Sequence, residues 1–285
     1  MTSHDPDRSQ QIESRGGWSF VTYRKYRHSD GSERVWHSRR HRKRLPQTES
    51  EKTLIAVATL ARCLWSPRQL NWWIGVIFAV GSILFATGSI LSLVPDLADT
   101  WSFDSNQINA VFFVGSIPFT TAAYLQLFQA ANAGENPTTG RTAIFGWLPH
   151  EIGWLSCALQ FIGTLLFNIN TFDAMLSDLN WLQQDLAIWV PDFAGSILFL
   201  ASGYLAFVET CHARFAWQPG SISWWVTFVN LLGCVGFMIS AFFAFVPPQN
   251  PMFDSMTISI LFTLIGALGF LTGSLLMLLE TALTD

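Results

Sequence analysis

The sequence predicts an all-α integral membrane protein: six transmembrane helices arranged as three parallel two-helix hairpins behind a small basic head. Three observations carry that expectation. Charge is segregated, with 14 of the 16 Lys/Arg in residues 1–68 and 13 of the 20 Asp/Glu in residues 69–285. Half of the chain is hydrophobic and only 13% is charged, against roughly 25% in soluble domains. One motif also occurs three times, each time just before a long apolar run. This composition excludes a disulfide-stapled secreted domain, a disordered chain and a coiled coil.

The head and its linker, residues 1–70, come first. Residues 18–37 place aromatic and β-branched residues on either side of Asp30-Gly31, so a short β-hairpin is expected there. Arg39, Arg40, Arg42, Lys43 and Arg44 follow as a basic cluster beside the membrane. Contact with anionic lipid headgroups is expected, at ~1 kcal/mol per basic residue. That reading is simpler than nucleic-acid binding, and no nucleic-acid partner is expected. Residues 45–62 are expected to form a linking helix. The polar, mixed-charge N-terminus has no signal-peptide core.

Apolar runs with at most one charged residue each fall near 71–94, 108–130, 150–172, 188–208, 222–246 and 256–279. Each is long enough to cross ~30 Å of hydrocarbon as a helix, the conformation that satisfies its own backbone in lipid. Asp192 follows Pro191 at the start of the fourth run and is expected to cap it. Arg141 and Arg214 share a side with the head, whereas the opposite loops carry Asp96, Asp99, Asp104, Asp173, Asp178, Asp185 and Asp254. The positive-inside rule then puts both termini in the cytoplasm, with the plasma membrane as the expected location. Trp65, Trp72, Trp147, Trp154, Trp217 and Trp224 are expected at the cytoplasmic headgroups.

The repeat is explicit. Trp65-Ser-Pro67-Arg-Gln-Leu-Asn-Trp72 precedes the first span, Trp147-Leu-Pro149-His-Glu-Ile-Gly-Trp154 the third, and Trp217-Gln-Pro219-Gly-Ser-Ile-Ser-Trp224 the fifth. Nine residues on stand Gly81, Gly163 and Gly233, and four further Phe85, Phe167 and Phe237. The even spans carry Gly115 with Phe119, Gly195 with Phe199, and Gly266 with Phe270. Hairpins are therefore expected at 71–130, 147–210 and 217–280, related by a pseudo-threefold axis along the membrane normal. The small residues are expected to let helix backbones approach, with each Phe as the knob between them.

A two-span hairpin with a glycine-x-x-x-Phe centre and a terminal glutamate resembles the YrhK-like family of small bacterial membrane proteins. The Trp-x-Pro segments and Ser38-Arg-Arg-His-Arg-Lys-Arg-Leu45 resemble longer multi-span relatives of that kind, across roughly residues 18–280. The resemblance implies a membrane location and no assigned activity. Three parallel hairpins are also similar to mitochondrial carriers, but the carrier signature is absent.

Alignment on the glycines isolates the polar positions. Gln160 and Asn230 fall at one mid-membrane depth, where they either hydrogen-bond between helices or line a solute path. Asn168 and Asn170 would extend such a path or cap a helix. The even spans end in Gln129, Glu209 and Glu280, and a carboxylate at a helix C-terminus calls for a partner. Ion pairs at the cytoplasmic boundary are expected for Glu209 and Glu280, with Arg68 and Arg214 as candidates beside Arg62 and His212. No catalytic, metal or cofactor motif is present, and no enzyme is expected. Two readings follow: a membrane scaffold or interaction protein with a tightly packed core, associating with itself or another membrane protein; and a facilitator for a small neutral solute lined by amides.

Overall fold

The computed structural model describes residues 10–47, 62–133, 142–176, 179–245 and 255–283. It is mostly helical. Six helices are long and apolar enough to cross a membrane: α2 (Leu70–Leu93), α4 (Ser105–Ala131), α5 (Ile152–Asp173), α6 (Trp181–Cys211), α7 (Ile222–Phe243) and α8 (Ser255–Leu283). The chain is thus a multi-pass membrane protein. A short α3 (Pro95–Thr100) bridges α2 and α4. Each long helix packs on the next in chain order, and α8 returns to α2, so the six form a closed ring.

The glycines set the spacing of the ring. A Cβ built on Gly81 would lie 3.1 Å from the Gly115 carbonyl oxygen, and the same contact joins Gly163 to Gly195 and Gly233 to Gly266. Across each crossing the phenylalanine four residues on rests on the opposite glycine: Phe119 on Gly81, Phe85 on Gly115, Phe270 on Gly233 and Phe237 on Gly266. Geometry explains why these rings meet. Side chains lean towards their own helix N-terminus, so in antiparallel partners both phenylalanines tilt back to the level of the crossing. Six buried rings, Phe85, Phe119, Phe167, Phe199, Phe237 and Phe270, consequently form one aromatic layer on the axis.

The sixth span continues to Leu283, past the expected 279, and the largest departure is at the start of the fourth. The fourth span begins at Trp181, not near 188, because the Asn180 side chain accepts from the Gln183 amide and caps the helix there. Pro191 then interrupts the ladder, since it has no N–H to donate. The helix widens into a π turn over Asp185–Trp189, and the Val190 amide donates to the Asp185 carbonyl. Asp192 therefore lies inside α6 and caps nothing.

The head is a three-stranded antiparallel sheet, β1 (Gln10–Arg15), β2 (Tyr23–Arg27) and β3 (Glu33–His37), in that order. The β2–β3 turn is made by Asp30, whose carboxylate accepts from the Ser32 amide at 2.8 Å, and by Gly31 at φ +82°. β3 runs directly into α1 (Ser38–Arg42), which sits at one end of the helix ring. Most of the linking helix expected over 45–62 lies outside the described residues, as do Arg141, Asp178 and Asp254.

Candidate functional site

The site begins with the Trp-x-Pro segments. The inner tryptophans Trp72, Trp154 and Trp224 are buried, and each indole N–H donates at 2.9 Å to a carbonyl of the preceding loop: Cys63, Phe145 and Ala216. The outer Trp65, Trp147 and Trp217 remain exposed and pack edge-on against them. Only the outer set can reach headgroups. The inner set latches each loop to its helix, correcting the expectation that both lie at the interface.

That latch fixes the neighbouring residue, which is Asn71, Gly153 or Ser223. Each meets a polar side chain near the C-terminal end of α4, α6 or α8. Gln129 donates to Asn71 at 2.9 Å, Glu209 lies over Gly153, and Ser223 donates to Glu280. Together they form a cup, and residues 38–43 of the head fill it. Arg42 binds Glu209 at 2.8 Å, and Ser38 donates to the same carboxylate at 2.7 Å. Arg39 and Lys43 both bind Glu280, Lys43 at 2.6 Å. Asn71 donates to the Lys43 carbonyl at 2.8 Å. Glu209 is 0% exposed and Glu280 1%, so these carboxylates are compensated by the head and not by water. A glycine is needed at 153, because a Cβ there would lie 2.7 Å from the Arg42 guanidinium.

Two expectations are thereby corrected. The carboxylates were legible, but Arg68 and Arg214 are not their partners: Arg68 is exposed, and Arg214 lies over the Trp18 ring at 5.9 Å. Nor are Arg39, Arg42 and Lys43 free to meet lipid headgroups, because buried carboxylates hold them. Arg40 is also buried and donates to the Pro46 carbonyl, which leaves only Arg44 of that cluster exposed. The sequence signal that was missed is the complement between a dense basic run and two helix-terminal glutamates that lack any local cation.

A second contact holds the head. His37 and His212 are hydrogen-bonded at 2.8 Å, and His212 also meets the Thr22 hydroxyl at 3.0 Å. Burial, with His37 and Arg15 adding to it against Glu209, pushes His212 down to about 4. The folded protein therefore resists a proton that the unfolded chain takes up near 6.5. Stability is expected to fall as pH drops from about 6.5 towards 4. His212→Asn should abolish that slope while tolerating the left-handed backbone at φ +55°. Thermal unfolding in detergent across this range checks both.

Below the cup lies a chamber of about 70 Å³, lined from all six long helices by residues that include Phe78, Gln126, Gln160, Ser202, Asn230 and Met277. Arg39, Arg42 and Lys43 form its roof. At the far end of the ring a chamber of about 310 Å³ is again lined from all six, with Ser92, Asn109, Asn170, Asp192, Ser240 and Ser259 among the polar groups. The phenylalanine layer separates the two chambers. The void left within it is about 10 Å³, at the lower limit for a single water and without the polar partners water needs. Gln160 and Asn230 thus share the head-side chamber and Asn170 the far one. Asn168 turns aside, donating to Thr120 at 2.9 Å across the α4–α5 contact.

No family model, curated protein or solved structure matches the chain.

Proposed function

We propose that this membrane protein is a facilitator for a small polar solute, whose path follows the axis of the helix ring. The observation that carries this reading is the pair of chambers on one axis, each lined by all six helices with polar side chains set in a mostly apolar wall, and a phenylalanine layer between them. A scaffold needs only packed helices, and two aligned chambers would weaken its core. The conformation described is closed twice, by the aromatic layer and by the head seated in its cup. Charge asymmetry supports a cytoplasmic head with both termini inside, and the thrice-made Trp latch, glycine crossing and cup contact support three hairpins about a pseudo-threefold axis.

The layer is the place to test it. Phe85 and Phe237 touch at 6.1 Å between centroids and face the far chamber. The double variant Phe85→Ala/Phe237→Ala is expected to join the chambers and raise solute flux at least tenfold over wild type. Proteoliposomes loaded with urea or glycerol and followed by light scattering measure this. A correctly assembled double variant with flux no greater than empty liposomes would remove the proposal and leave the scaffold.

A further inference from the structure

We infer that the head-side chamber binds a small monovalent inorganic anion of the size of chloride or nitrate. The first reason is charge. Among the described residues that line the chamber are three cations, Arg39, Arg42 and Lys43, and no carboxylate; Glu209 and Glu280 bind these cations but are not part of its wall. Buried cations facing a cavity without carboxylates favour an anion there.

The second reason is the supply of donors. Chamber hydroxyls are already committed to backbone carbonyls, as with Ser202 to Ser156 and Ser274 to Phe270. The amides of Gln126, Gln160 and Asn230 are different: they line the chamber and make no hydrogen bond to a described residue. Each carries an NH₂ group and lines the same chamber as the three cations. Asn230 also sits directly against Gly273, where a Cβ would come within 2.4 Å of its oxygen. That contact holds the amide in place beside the chamber.

Size supplies the third reason. About 70 Å³ holds a few waters, which accommodates a halide or nitrate and excludes organic anions with more than a few heavy atoms. Burial, and after it the neighbouring Arg39, push Lys43 down to about 8 despite Glu280. An occupying anion would return its charged form to favour. Occupancy does not require conduction, so the inference stands or falls apart from the proposed function.

Bromide is the probe. The full chain in detergent should show an unfolding midpoint that rises by several degrees and saturates with sodium bromide, but not with sodium gluconate at equal ionic strength. Gln160→Leu and Asn230→Leu should each weaken the response at least tenfold in bromide concentration. Lys43→Met should abolish it, whereas Lys43→Arg should keep it. An anomalous bromine peak beside Asn230 in a crystal would locate the ion. Equal midpoints in bromide and gluconate would overturn the inference, and so would a bromide response unchanged in both amide variants. Because the readout is binding, a protein that takes bromide while its Phe85→Ala/Phe237→Ala variant passes no solute would sink the facilitator reading alone.

Discussion

Glu280→Ala is expected to release the head from the helix ring. The substitution leaves Arg39 and Lys43 buried without their counter-charge. Breaking a buried pair from one side costs about 3–5 kcal/mol. The cheapest relief is for residues 38–43 to leave the cup and carry both cations into water. Trypsin reads this directly, because cleavage after Arg39, Arg42 and Lys43 is blocked while they are buried. Rapid cutting within 39–43 is expected for Glu280→Ala and slow cutting there for wild type. Replacing all three partners with methionine should restore most of the protection, since a buried ion group exchanged for apolar residues of similar volume is often neutral. Protection unchanged in Glu280→Ala would mean that the sheet, the His37–His212 contact and the Glu209 contacts hold the head without the Glu280 pairs.

The second large effect is expected at Gly236. A Cβ there would stand 2.9 Å from the Gly266 amide nitrogen and 3.0 Å from its Cα. Those are backbone atoms of α8 and cannot rotate away as a side chain can. Gly236→Leu must therefore push α7 and α8 apart, at about 3 kcal/mol by the usual scale of overpacking. It also shifts the helix that carries Glu280, so trypsin sensitivity of the head should rise with it. Gly220→Leu is the control, because nothing lies within 4 Å of a Cβ at that position. Thermal unfolding in detergent should show a drop of many degrees for Gly236→Leu and almost none for Gly220→Leu.

The six spans could be read from the chain because hydrocarbon imposes a length and an apolar composition on each helix separately. The glycine and phenylalanine positions were legible for a related reason: a crossing between consecutive helices leaves a local, repeated signature. What the sequence concealed depends on contacts between distant segments. Arg42 and Glu209 are 167 residues apart, and Arg39 and Glu280 are 241 apart. A basic run beside a span looks like surface charge until its buried acids are placed. The inner tryptophans misled in the same way, because exposure depends on a loop folding back over them. β1, Gln-Gln-Ile-Glu-Ser-Arg, has no alternating apolar pattern. It becomes a strand by pairing with β2. The late start expected for α6 came from reading Pro191 as a boundary, whereas a single wide turn absorbs it.

Because Arg39 reaches across 241 residues to Glu280, the order of synthesis matters. Ribosomes deliver the head first and the last helix at the end, roughly tens of seconds later at ~5–20 residues per second. Throughout that interval Arg39 and Lys43 lack Glu280, the carboxylate that binds both in the folded chain. Full docking of the head therefore waits for α8, and a chain stalled before that helix would keep Arg39 and Lys43 without the carboxylate that buries them.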